Sequence, residues 1–165
     1  MKRKLLVFSL AIALLGGILA PSVATTANAA SRSHAHAAAF DKTKFLLHLG
    51  AAYYAFHHFV YSPYKAGKLS RHHLFTVGKA VLALVFAGHE VHTAYTLAKN
   101  SNSKTLHVLI APMTALSSTF AAIGAKFKHG QVSSSDVTAL NGQTSSFSGL
   151  AKSHGFPIVD KKVSI

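Results

Sequence analysis

The sequence predicts an all-α fold, an up-down helical bundle of three long helices plus a weaker fourth. Two observations carry that prediction. Large apolar residues recur at alternating intervals of three and four over three long segments, the period of a helix that buries one side. The stretches between them, "SPYKAGKLS", "NSNS" and "KHG", are made of residues that stop helices, and no alternating run with turn chemistry predicts a strand.

The first helix is predicted over about Lys42 to Tyr61, where Leu46, Leu49, Tyr53, Phe56 and Val60 form one seam. Asp41 can cap it, and Ser62-Pro63 is expected to end it, because the residue before a proline is pushed out of the helical region. The second runs from Ser70, a cap, to Lys99, with Leu74, Val77, Val81, Leu84, Gly88, Val91 and Tyr95 in its seam. Gly88 there costs about 1 kcal/mol relative to alanine and suggests that another chain segment packs closely. The third, Lys104 to Lys128, is the most regular: Leu106, Leu109, Met113, Leu116, Phe120, Ile123 and Phe127 share one side. Pro112 inside it predicts a kink or break near Ala111. The fourth is weaker, with Ser134 or Ser135 as cap, Val137, Leu140, Phe147 and Leu150 pointing one way, and Gly155 and Pro157 ending it.

Ahead of the bundle, Lys2, Arg3 and Lys4 precede the apolar stretch Leu5 to Ala20, then Pro21 and an Ala27-Asn28-Ala29 exit. A basic start, an oily core and small-x-small are the parts of a cleaved secretory signal peptide, and the oily core falls short of the ~20 residues needed to span a bilayer. The expected organisation is a signal peptide over 1–30, a flexible segment over 31–40, the bundle over 41–155 and a tail over 156–165. The product is expected outside the cell or on its envelope. Without cysteine it has no disulfide staples, so its core must hold it together alone. The second and third segments are oily enough to raise a membrane reading. Against it, Lys79, Glu90, His107 and "TALSSTF" interrupt them.

Seventeen Lys and Arg against four acids give a net charge of +13, a composition that favours anionic wall polymers or membrane headgroups. The lysines are scattered, and no module that reads nucleic acid specifically is present. His57 and His58 lie as far before the first turn as His72 and His73 lie after it. With Lys65, Lys68, Lys79 and Arg71 they make a basic, partly aromatic bundle end suited to an anion or polymer contact.

Glu90, the lone glutamate, sits between His89 and His92. One reading is a solvated or inter-helix polar face, with Glu90 paired to a lysine or hydrogen-bonded to a neighbouring tyrosine. The other is a zinc, copper or haem site, since His89 and His92 at i, i+3 can face one ion. The spacing departs from His-Glu-x-x-His, so peptidase chemistry is not supported. Further ligands would come from His107, about a turn from the level of His92, and from His48, about a turn from His89. His34 misses the third position that an amino-terminal copper clip needs when cleavage follows Ala29 or Ala30. No cysteine nucleophile, GxSxG, Gly-rich phosphate loop or second carboxylate near Glu90 is present, so no catalytic residue and no enzyme activity are assigned.

"YYAFHHFVYSPYKAGKL", "AGHEVHTAYTLAK" and "LIAPMTALSS" resemble stretches of small exported helical proteins from Gram-positive bacteria, a family without an assigned activity. The resemblance, over about Phe40 to Leu150, implies export and an all-helical fold, and it carries over no site residue.

Overall fold

The computed structural model describes residues 41–70 and 72–165. The expectations placed on residues 1–40 and on Arg71 lie outside the described residues. Those described form helices joined by short turns, with no strand among them. The class is all-α.

Helix α1 covers 41–65. It does not stop at Ser62-Pro63. One wide π turn, His57–Tyr61, interrupts it, with the Ser62 N–H donating to the His57 carbonyl, and regular helix resumes over Ser62–Lys65. A proline has no N–H to donate and its ring crowds the carbonyl four residues back. Restarting the ladder at the π turn leaves Pro63 in the first turn of a new segment, where no N–H is required. Of the predicted seam, Leu49, Tyr53, Phe56 and Val60 are buried and Leu46 is partly so.

Helix α2, Leu74–Asn100, begins three residues later than a Ser70 cap predicts. The Ser70 carbonyl instead accepts from His73 N–H in a turn, and His73 heads the helix without a side-chain cap. Its buried row is also not the predicted one. Ala80, Ala83, Leu84, Ala87, Val91, Ala94 and Ala98 are the fully buried row, so the predicted seam is rotated in part. Leu84 and Val91 are common to both, Val77, Val81 and Tyr95 are partly buried against the core, Gly88 lies beside Phe120, and Leu74 faces out. The reason is steric: alanines let a neighbouring backbone approach, and larger apolar side chains at Leu74, Phe75, Leu82 and Val85 are left facing out.

The break at Pro112 comes at Leu109, between α3 (Lys104–Val108) and α4 (Ile110–Lys128). The residue four before Pro112 is Val108, whose carbonyl the ring would strike. Ser103 caps α3 by accepting from Leu106 N–H, and all seven predicted seam residues of this segment are buried. Gly88 lies beside Phe120 and Gly124 beside Leu84, so α2 and α4 run antiparallel. Ser117 adds a hydroxyl bond to the Gly88 carbonyl at 3.4 Å.

Helix α5, Ser134–Ser153, has 20 residues and the fold's strongest start, so it is a full member rather than a weak one. Its cap is Ser133, one residue before those predicted. Ser133 accepts from Asp136 N–H while the Asp136 carboxylate accepts from Ser133 N–H, a reciprocal box that satisfies two orphan donors. Lys126 bonds the same carboxylate. That bond first, and the Ser133 bonds second, hold the Asp136 pKa down to about 2 from 3.8. A depressed carboxyl contributes stability above about pH 4, and that contribution is lost as pH falls through about 2. Ser133→Ala is expected to cost about 1 kcal/mol in thermal or urea unfolding and to raise the Asp136 midpoint followed by carboxyl NMR. An unchanged midpoint would show that the box is not closed in solution.

Against α1, α5 is antiparallel: the buried Tyr53 hydroxyl donates to the Thr144 carbonyl, and the Tyr64 hydroxyl bonds Ser134 and Thr138. Burial raises the Tyr53 pKa, the negative charge of Asp160 adds to the rise, and a backbone bond at Ser148 opposes it, so the hydroxyl stays a neutral donor.

Residues 156–165 have no regular secondary structure, yet they lie along α1 as a strap. Gly155, at φ 82, reverses the chain after α5 and sends Phe156 edge-on to Phe45 at 5.5 Å. Lys161 N–H donates to the Gly50 carbonyl at 2.9 Å, and Ile158, Val163 and Ile165 pack against the core. Gly50 is needed there, since a Cβ would overlap the Val159 carbonyl and lie 2.7 Å from Lys161 Cγ.

Candidate functional site

Two polar places emerge, and each is built by helix pairing. On the first, α1 and α2 run antiparallel and bring His48 Nδ1 to 2.7 Å from Glu90 Oε2. A carboxylate only accepts, so His48 donates from Nδ1, and its Nε2 is left as the acceptor or ligand atom. Glu90 is 14% exposed, so the pair sits at the edge of the core, where a bond to a charged group outweighs a surface one. This is the polar-face arrangement with the partner supplied by another helix.

The other histidines proposed as ligands are directed elsewhere. His92 stacks on Tyr95 with centroids 5.7 Å apart. His107 Nε2 is 2.8 Å from the Ser101 carbonyl, which makes Nε2 the protonated nitrogen and closes it to a metal. His89 is exposed on α2. Among the described residues no three His, Asp or Glu side chains are grouped as a metal ion requires. A lone imidazole–carboxylate pair supplies one nitrogen, and zinc or copper sites take several ligands.

The second place is the bundle end where α1 gives way to α2. His57 Nδ1 is 2.9 Å from Asp160 Oδ2, so it is engaged with the strap. His58 stacks on Tyr54 at 5.1 Å and meets Phe59 edge-on at 4.7 Å. Exposed Lys65 reaches over the Tyr61 ring at 5.8 Å, and Lys68, His72 and His73 are exposed in the connection. Lys79, expected beside Lys65 and Lys68 at this end, lies over Phe75 at 5.0 Å and Phe59 at 5.9 Å. The structure therefore places Lys65, Lys68, His58, His72 and His73 at one aromatic-rich end, and takes His57 out of it.

Beside Lys65 lies a hollow of about 470 Å³ lined by Tyr64, Lys65, Gly67, Leu69 and Ser134. Hydrogen bonds to Ser134 and then Thr138 lower the Tyr64 pKa. A second, more apolar groove of about 480 Å³ runs between α4 and α5, lined by Pro112, Ala115, Ala139, Gly142, Gln143 and Phe147.

Sequence reasoning missed the outward row of α2. Phe75, Leu82 and Val85 lie opposite the buried alanines, and their spacing of seven and three is legible once the alanine row is taken as the seam. Among the described helices, α2 is also the one long and apolar enough to cross a membrane by length and composition.

No protein-family model matches the chain, and no characterised protein or solved structure is similar to it.

Proposed function

We propose that this is an exported, non-enzymatic up-down bundle whose basic surface binds anionic material of the cell envelope. One observation carries the reading: three of the four acids already have partners. Glu90 is bonded to His48, Asp160 to His57 and Asp136 to Lys126, so little carboxylate is left to neutralise the fourteen Lys and Arg that remain of seventeen once Lys2, Arg3 and Lys4 go with the leader. Uncompensated cations on a partly aromatic end raise the local concentration of polyanions and hold them at a surface.

Two further features support it. The basic-apolar-small leader directs the chain out of the cell, where wall polymers and headgroups are the abundant polyanions. The resemblance to small exported helical proteins of Gram-positive bacteria favours the same destination.

The test is retention on purified phosphate-rich wall polymer across a sodium chloride series. Affinity is expected to fall steeply between low and physiological salt, as the Debye length contracts from ~30 Å at 0.01 M to ~8 Å at 0.15 M. Lys65→Gln with Lys68→Gln is expected to weaken it further. Retention indifferent to salt would remove charge as its cause.

A further inference from the structure

The apolar row on α2 has no counterpart elsewhere on the described surface. Leu74 is 75% exposed, Phe75 78%, Leu82 59% and Val85 54%, four large apolar side chains within one stretch of helix. Only 28% of its most apolar eighteen-residue window is buried inside the protein. Phe75, Leu82 and Val85 lie on the side opposite Ala80, Ala87 and Val91, so they contribute nothing to the core. Exposing such a row in water is unfavourable, and contiguous exposed apolar side chains mark an interaction surface.

Charge says what kind. Lys79 is on the flank of the row with its ammonium over the Phe75 ring, and exposed Lys65 and Lys68 stand at the same bundle end. The one acid of α2, Glu90, is turned to His48. Apolar rings bordered by lysines, without a carboxylate, match the boundary between headgroups and acyl chains of an anionic bilayer. A second copy of the chain would set these lysines against an identical set, and the net charge of +13 makes that repulsive.

We propose that α2 lies flat on an anionic lipid surface, with Phe75, Leu82 and Val85 in the acyl boundary and Lys79 among the headgroups. The proposal rests on the envelope-binding reading and names the bilayer as its site. The helix lies on the membrane rather than crossing it, because its other side is occupied by α4 and its second half carries His89, Glu90 and His92.

The chain has no tryptophan, so Phe75→Trp introduces a single tryptophan at the contact, excited apart from the tyrosines at the red edge. Val108→Trp, exposed at the junction of α3 and α4, is the control. With phosphatidylglycerol-containing vesicles the full chain is expected to blue-shift at position 75 and to be quenched there by brominated acyl chains. Position 108 should respond to neither, and phosphatidylcholine alone should bind far less. Leu82→Ser with Val85→Ser is expected to weaken partitioning at least tenfold, and Lys79→Gln about fivefold, with the helical signal in buffer unchanged.

Three results would overturn the proposal. Vesicle binding without quenching at position 75 assigns the membrane contact to another segment, residues 1–40 included. A tryptophan already blue-shifted without lipid means that the chain itself or a second copy covers the row, and dependence on protein concentration tells which. Absence of vesicle binding removes the bilayer, while retention on wall polymer, measured separately, would keep the broader reading.

Discussion

Phe120→Ala is expected to lower the unfolding free energy by about 3–5 kcal/mol in urea melts followed by helical signal. Phe120 is fully buried where three helices meet. Its ring lies edge-on to Phe56 of α1 at 5.9 Å, and its Cβ lies beside Gly88 of α2. Toward α2 the neighbour is Gly88, which has no side chain to swing into a void, so collapse offsets little of the lost contact. A domain of this size has about 5–15 kcal/mol in total, and the variant is expected to melt well below the parent. Ser118→Ala, on the exposed side of the same helix, is expected to stay within about 0.5 kcal/mol. A cost below about 1 kcal/mol for Phe120→Ala would mean that the three helices do not meet at this ring.

Gly50→Leu is expected to lift residues 156–165 off α1. The added side chain takes the place of the Val159 carbonyl and the Lys161 stem, so the strap must move because the helix backbone cannot. Losing the Lys161 to Gly50 bond and part of the Phe156 packing on Phe45 is worth about 2–4 kcal/mol together. Trypsin should then cut at Lys161 and Lys162 many times faster than in the parent, by mass spectrometry. Gly142→Ala, where a methyl meets open space, is expected to leave the digestion pattern unchanged. Equal cleavage rates in the Gly50 variant would show that the strap is already loose.

The helical class and most turn positions were legible because they rest on local chemistry. Ser103, from the "NSNS" stretch, caps α3, Gly130 reverses the chain after α4, and the seven-residue seam through Phe120 is buried throughout. What was not legible depends on partners from elsewhere in the chain. The α2 seam was read from its largest apolar residues, whereas close approach to α4 selects its alanines. Pro63 was read as a stop, because a π turn leaves no mark in residue spacing. At the candidate site, a paired Glu90 was the plain expectation, but naming His48 as its partner required the lateral arrangement of α1 and α2. The lysine and aromatic character of the bundle end was visible. Asp160's capture of His57 was not, since it comes from ten residues read only as a tail.

That strap has a consequence for how the molecule comes into being. Phe156, Ile158, Val163 and Ile165 are made after every helix they pack against, yet they close over the first helix described. Chains are made vectorially and tend to assemble from the amino-terminal end. Here the closure over α1 follows the synthesis of all five helices, so a polypeptide stalled just before residue 156 would carry every described helix and still lack its seal.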